Sequence, residues 1–316
     1  MSVILKGNNL ETLKTIPDCS VNCCVTSPPY FGLRDYGIPD VTFPDGWKGQ
    51  HGHEESVELY VQHEVDIFRE VYRVLRDDGT LWLNLGDCYC SSNGYARAQP
   101  DFQRKGRNNA PANGRNLSEL HQEGLKTKDL IGVPWRVAFA LQYDGWYLRQ
   151  DIIWEKPNPM PESVTDRCTK SHEYIFLLSK NERYYFDADA IKEPCVTYDD
   201  SIRDRDNSKL NNVHGRTREG GLKTNNYTMR NKRDVWSVST KPFNEAHFAI
   251  FPPDLIEPCI LAGCSEGGTV LDPFGGSGTT GMVAVQNRRN YILCELNDDY
   301  INMAEKRIGK VQINLI

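Results

Sequence analysis

Two short strings hold the residue types most able to do chemistry. One is Thr26-Ser27-Pro28-Pro29-Tyr30, the other Asp272-Pro273-Phe274-Gly275-Gly276-Ser277-Gly278-Thr279-Thr280. The first is a rigid corner. Two prolines lock the backbone and remove two N–H donors, so carbonyls, a hydroxyl and an aromatic face are left to meet a planar substrate. An exocyclic amine on such a substrate is a poor nucleophile because its lone pair is delocalised into the ring. Acceptors such as Ser27 and the Pro28 carbonyl, taking both amine hydrogens out of the ring plane, would free that lone pair, while Tyr30 stacks on the ring. The second string suits a strand that runs into a glycine turn and opens a helix at Thr279. Gly276 and Gly278 allow close backbone approach, and the helix N-terminus favours an anionic group. Leu293-Cys294-Glu295 closes the next apolar run 19 residues after Gly276, where an acid can bond ribose hydroxyls. On these residues alone, NAD and S-adenosylmethionine (AdoMet) are both admissible cofactors.

The elements that must position these strings follow from hydrophobic pattern. Val3–Leu5 and Val21–Val25 read as buried strands with a helix over 10–16 between them. The apolar stripe of 58–75 predicts a helix, stopped at Asp77-Asp78-Gly79 and followed by a strand at Thr80–Leu85. Residues 89–128 lack periodicity and predict a long loop. A helix at 135–143 and strands at 147–154 and 174–178 come next, then a polar tract over about 181–235. A helix near 253–262, a strand at 269–271, a helix at 279–286, a strand at 291–295 and a helix from Asp298 complete the pattern. Strands alternating with helices predict an α/β fold with a mostly parallel sheet covered on both faces. Ligands of such sheets bind beyond the carboxyl ends of the strands.

Taken together, the two strings resemble those of the AdoMet-dependent DNA amino-methyltransferases. Asp-Pro-Phe-x-Gly-Ser-Gly-Thr-Thr is similar to that family's motif I, and Ser-Pro-Pro-Tyr to its catalytic corner. The corner comes first and the cofactor turn last, which is the order of the family's circularly permuted beta group. Leu75-x-x-x-Gly79, Trp154-x-Lys156-x-Asn158-Pro159, Ser171-His172-Glu173-Tyr174 and His247-Phe248-Ala249-Ile250-Phe251-Pro252 also look like family segments, so the resemblance spans most of the chain. It implies a Rossmann-like methyltransferase fold in a single catalytic domain over 1–316. AdoMet would be held by Asp272, Phe274, Gly276, Gly278, Thr279 and Glu295, with no metal. The family's Gly-Asp near the first strand is Gly7-Asn8 here, so Asn8 would have to replace the acid at the adenine amine. Ser27, Pro28, Pro29 and Tyr30 would be catalytic, transferring the methyl group directly to a base flipped out of double-stranded DNA. His172 and Glu173 have the types of an acid–base pair; structural positioning is the reading preferred for them. Family members with Ser-Pro-Pro-Tyr mostly act on cytosine N4, which is the expectation here, with adenine N6 as the alternative. Protein or RNA amines, which enzymes of the same fold methylate, come behind both.

Charge distribution agrees with a polyanionic partner. The chain carries a net charge of −6. Yet Ser201–Arg233 holds nine basic against three acidic residues, and Arg97–Lys128 seven against three, for local sums of +6 and +4. Both tracts are expected to order on DNA: one as a basic loop insertion over 89–130, the other within a target-recognition region over 185–235. The ten cysteines include no C-x-x-C and several lie in apolar runs, which predicts reduced core thiols in a cytoplasmic protein rather than a metal site or disulfides. No apolar run reaches the roughly 20 residues of a membrane span, and Met1–Gly7 is too short and polar for a signal peptide. A cognate restriction endonuclease and a homodimer are the further partners that the resemblance suggests.

Overall fold

The computed structural model describes residues 2–32, 38–90, 124–195, 228–240 and 251–314. An eight-stranded sheet forms its centre. The first strand, β1 (Val3–Lys6), is followed by the short helix α1 (Asn9–Thr12) and by β2 (Val21–Thr26). Two small strands, β3 (Val41–Thr42) and β4 (Lys48–Gly49), pair with each other outside the sheet. Helix α2 (Val57–Val74), β5 (Leu75–Leu85), α3 (Val133–Tyr143), β6 (Tyr147–Glu155) and β7 (His172–Ser179) come next. A second outlying pair, β8 (Glu193–Pro194) with β9 (Met229–Arg230), precedes β10 (Val235–Ser237). The chain closes with α4 (Pro253–Gly263), β11 (Thr269–Asp272), α5 (Thr279–Gln286), β12 (Asn290–Glu295) and α6 (Asp298–Asn314).

Sheet order is β1-β12-β11-β2-β5-β7-β6-β10. Pairing is parallel except on the two sides of β7, which runs against β5 and β6. The permuted order anticipated from the motifs is realised inside the sheet, where β11 lies parallel beside β2 as its third and fourth strands, with Val270 opposite Cys23 and Leu271 opposite Cys24.

Both faces are buried, and successive strand residues alternate between two apolar layers. Cys24, Leu81, Leu83, Phe176, Leu178, Leu271 and Cys294 join α2 and α3 in one layer. Cys23, Val25, Trp82, Ile175, Leu177, Val270 and Leu293 join α4 and α5 in the other. The buried cysteines therefore act as small hydrophobes, and all ten thiols are free. No helix among the described residues is long and apolar enough to cross a membrane.

Two elements depart from the pattern read in the sequence. Helix α2 stops at Val74, not at Asp77-Asp78-Gly79, and β5 begins at once with Leu75. Leu75 pairs with Val21, and the register then shifts so that Thr80 faces Cys23; the polar Arg76–Gly79 segment is absorbed as an irregularity within the strand. Strand β10, where the polar tract ends, carries no strand signal because only Trp236 of its three residues is buried, too short a run to show alternation. Most of the basic loop (91–123) and of the recognition tract (196–227), and His247–Ile250, lie outside the described residues.

Candidate active site

One edge of the sheet gathers nearly every residue singled out above. The parallel strands β1, β2, β5, β6, β11 and β12 all end there, at Asn8, Ser27, Asn84, Lys156, Asp272 and Glu295. The antiparallel strand β7 begins there, bringing Glu173 to the same edge.

The proline corner is tied to the glycine turn through one carboxylate. Asp272 accepts from Thr26 Oγ1 at 2.6 Å, Thr280 Oγ1 at 2.7 Å and the Phe274 N–H at 3.0 Å. It is 2% exposed, and burial raises it to about 6 against the lowering effect of those donors. The Thr26–Asp272 bond thus spans 246 positions of the chain, and the Asp272 carboxylate is engaged inside the protein. Thr279 is similarly buried, its hydroxyl taken by Arg307 of α6 at 3.1 Å.

The turn itself opens outward. Gly276 has φ +49°, and a Cβ there would meet no protein atom nearer than the Phe274 carbonyl at 3.8 Å. Gly278, at φ +78°, has a different constraint: a Cβ would lie 2.6 Å from Ala304 Cβ, so its glycine serves close packing of α5 on α6. Glu295 lies against the turn, accepting from the N–H groups of Gly276 at 2.7 Å, Asn297 at 2.7 Å and Leu296 at 2.9 Å. Burial raises its carboxyl pKa, opposed by these donors. Asn8 caps α1, its Oδ1 accepting from the Leu10 N–H at 3.2 Å. The open space over Gly276, next to half-buried Phe274, Glu295 and Asn8, fits a nucleoside-bearing cofactor.

Tyr30 is held more firmly than a bare stacking ring requires. Its Oη donates to Glu173 Oε2 at 2.9 Å and lies 3.1 Å from Asn84 Oδ1, while Ser27 Oγ donates to Tyr30 Oη at 3.4 Å. Glu173 is ion-paired with Lys156, whose ammonium sits 4.2 Å from the Trp154 ring centroid. Asn84 is oriented by donating its Nδ2 to the Tyr174 carbonyl at 3.0 Å. The ring lies on Gly86, where a Cβ would approach Tyr30 Cε2 to 2.5 Å.

Beneath the corner is a polar cluster that motif reading did not find. Tyr60 of α2 donates to the Pro29 carbonyl at 2.9 Å and stacks on His51, which in turn stacks on Phe274 at 5.7 Å between centroids. His51 lies between Glu54 at 2.7 Å and Glu64 at 2.8 Å, all three buried. Burial disfavours a charge on His51, but the two glutamates outweigh it and raise its pKa to about 10. Burial likewise opposes the charge on Glu54, yet His51 and its hydrogen bonds bring it down to about 2. His63 also bonds Glu54, at 3.0 Å. The sequence clue was polar residues at buried helical positions, His63 and Glu64 in α2, inside an otherwise amphipathic stripe.

Comparison with known proteins identifies the family. Residues 21–306 match the N6/N4 DNA methylase family. The chain belongs to that family. It is 47% identical over 315 residues to the type II methyltransferase M.Cfr9I of Citrobacter freundii, covering 100% of this chain and 90% of that protein. With M.SmaI of Serratia marcescens it shares 46% over 305 residues, covering 96% and 90%. Among solved structures, PvuII DNA methyltransferase (cytosine-N4-specific) superposes with a TM-score of 0.63 at 18% identity, over 98% of this chain and 89% of that one. The M1.HpyAVI–SAM complex gives 0.52 at 16%, over 98% and 100%. The protein is accordingly an AdoMet-dependent DNA amino-methyltransferase with the family's α/β fold.

Proposed function

We propose that this methyltransferase modifies the exocyclic N4 of cytosine in double-stranded DNA, as the modification enzyme of a type II restriction–modification system. The observation that carries the reading is the side-by-side pairing of β2 with β11, which sets a Ser-Pro-Pro-Tyr corner against an open glycine turn. Bound AdoMet would supply an electrophilic methyl group on a sulfonium. The backbone at Gly276 with Phe274, Glu295 and Asn8 would hold it, while Asp272, Gly278 and Thr279 keep the turn in shape from inside. Ser27 Oγ and the Pro28 carbonyl accept the amine hydrogens, and Tyr30 stacks on the flipped base. Pro29, its carbonyl held by Tyr60, keeps the corner rigid. Catalysis of this kind rests on positioning and electrostatics, without a covalent enzyme intermediate.

The tract over 185–235 would read the target sequence and the basic loop over 89–130 would grip phosphates, both as parts of one catalytic domain over 1–316. A cognate endonuclease sharing the recognition sequence, a homodimeric state and a cytoplasmic location belong to the same reading. Nucleoside mass spectrometry of DNA incubated with the protein and methyl-labelled AdoMet tests it. N4-methylcytosine is the expected product; N6-methyladenine would retain the chemistry and overturn the choice of base.

A further inference from the structure

The hydrogen bonds at Tyr30 have a direction. A carboxylate only accepts, and Asn84 presents its acceptor Oδ1 to Tyr30 because its amide nitrogen is committed to the Tyr174 carbonyl. Of these two acceptors the charged and nearer one, Glu173 Oε2 at 2.9 Å against 3.1 Å for Asn84 Oδ1, draws the single hydrogen of Tyr30, which leaves Tyr30 Oη an acceptor for Ser27. With its own hydrogen drawn toward Tyr30, Ser27 offers lone pairs outward. The result is a one-way chain from Ser27 to Tyr30 to Glu173, ending on a negative charge that Lys156 holds in place.

We propose that Glu173 is a positioning residue that polarises Ser27 through Tyr30 and then receives the proton released by methyl transfer. This rests on the assignment of Ser27 to the target amine made above. Once methylated, the exocyclic nitrogen carries one proton too many. Its N–H bond breaks as Ser27 Oγ gains that hydrogen; Ser27's own hydrogen passes to Tyr30 Oη, and that of Tyr30 to Glu173 Oε2. The bonding pair returns to nitrogen, Ser27 and Tyr30 end unchanged, and Glu173 ends neutral. Its side chain is 17% exposed, enough to pass the proton on to water.

The test is a double-mutant cycle on the intact protein, reading the single-turnover rate of total methyl transfer to DNA alongside AdoMet and DNA affinities. Glu173→Gln removes the charge and the proton acceptor, and should slow transfer on the order of 10²-fold with both affinities kept. Tyr30→Phe, which retains the stacking ring, should cost a similar factor. The double variant should be no slower than the slower single one, because each change breaks the same chain. Lys156→Gln breaks the ion pair but leaves the carboxylate, and should cost far less than Glu173→Gln. Losses that multiply in the double variant, an unimpaired Glu173→Gln enzyme, or equal losses in Lys156→Gln and Glu173→Gln would each overturn the proposal. Total label counts transfer to either base, so an error in the choice of cytosine would show as methyladenine with the cycle intact.

Discussion

Gly276 and Gly278 stand two residues apart and have glycine for different reasons, which separates binding from stability at single positions. Gly276 borders open space, so Gly276→Ala should cost the fold only the backbone penalty of about 1–2 kcal/mol for a positive φ. It should weaken AdoMet binding by much more than that loss of stability explains, as calorimetry with the cofactor would reveal. Gly278→Ala drives a methyl into Ala304; thermal unfolding should report a loss of about 2 kcal/mol or more. At the corner, Ser27→Ala and Tyr30→Ala should abolish methyl transfer while AdoMet affinity survives. If affinity fell equally far, the corner would belong to the cofactor and not to the base.

Between elements, the His51 cluster joins α2 to the corner and to the glycine turn, so its charge state bears on how the two halves meet. His51 is raised from 6.5 to about 10, so its contribution to stability is complete below pH 6.5 and is lost as pH rises through 10. Glu54 is lowered from 4.5 to about 2, so its contribution is complete above pH 4.5 and is lost as pH falls through 2. Both act fully only between about pH 4.5 and 6.5. The melting-temperature gap between wild type and His51→Gln should be widest in that window and narrow toward pH 10. A gap independent of pH would show that His51 contributes packing alone.

For the molecule as a whole, an acidic chain has to engage a polyanion through local fields. Each Lys or Arg that neutralises a phosphate adds about 0.9 to the slope of log affinity against log salt. Replacing Arg203, Arg205 and Lys209 with alanine should therefore flatten the slope measured on duplex DNA and leave AdoMet affinity unchanged. An unchanged slope would remove that tract from the interface. The mostly parallel topology explains how distant segments serve one site, since parallel strands end at the same edge whatever their order in the chain.

By itself the sequence determined the α/β class and the strand and helix order of most of the sheet, and it singled out the two strings proposed as the site, because these depend on local periodicity and on residue types within a few positions. It could not divide the turn residues into those that border open space, such as Gly276, and those buried behind it. Asp272 and Thr279 look like ligands in the motif, yet their polar atoms are engaged by Thr26, Thr280 and Arg307 from elsewhere in the chain. Nor could it show that Glu173 and Asn84 meet Tyr30, or that His51 lies between two glutamates under the corner. Those contacts join residues from separate strands, a loop and a helix, and only tertiary packing decides which polar groups share a buried space and must satisfy one another there.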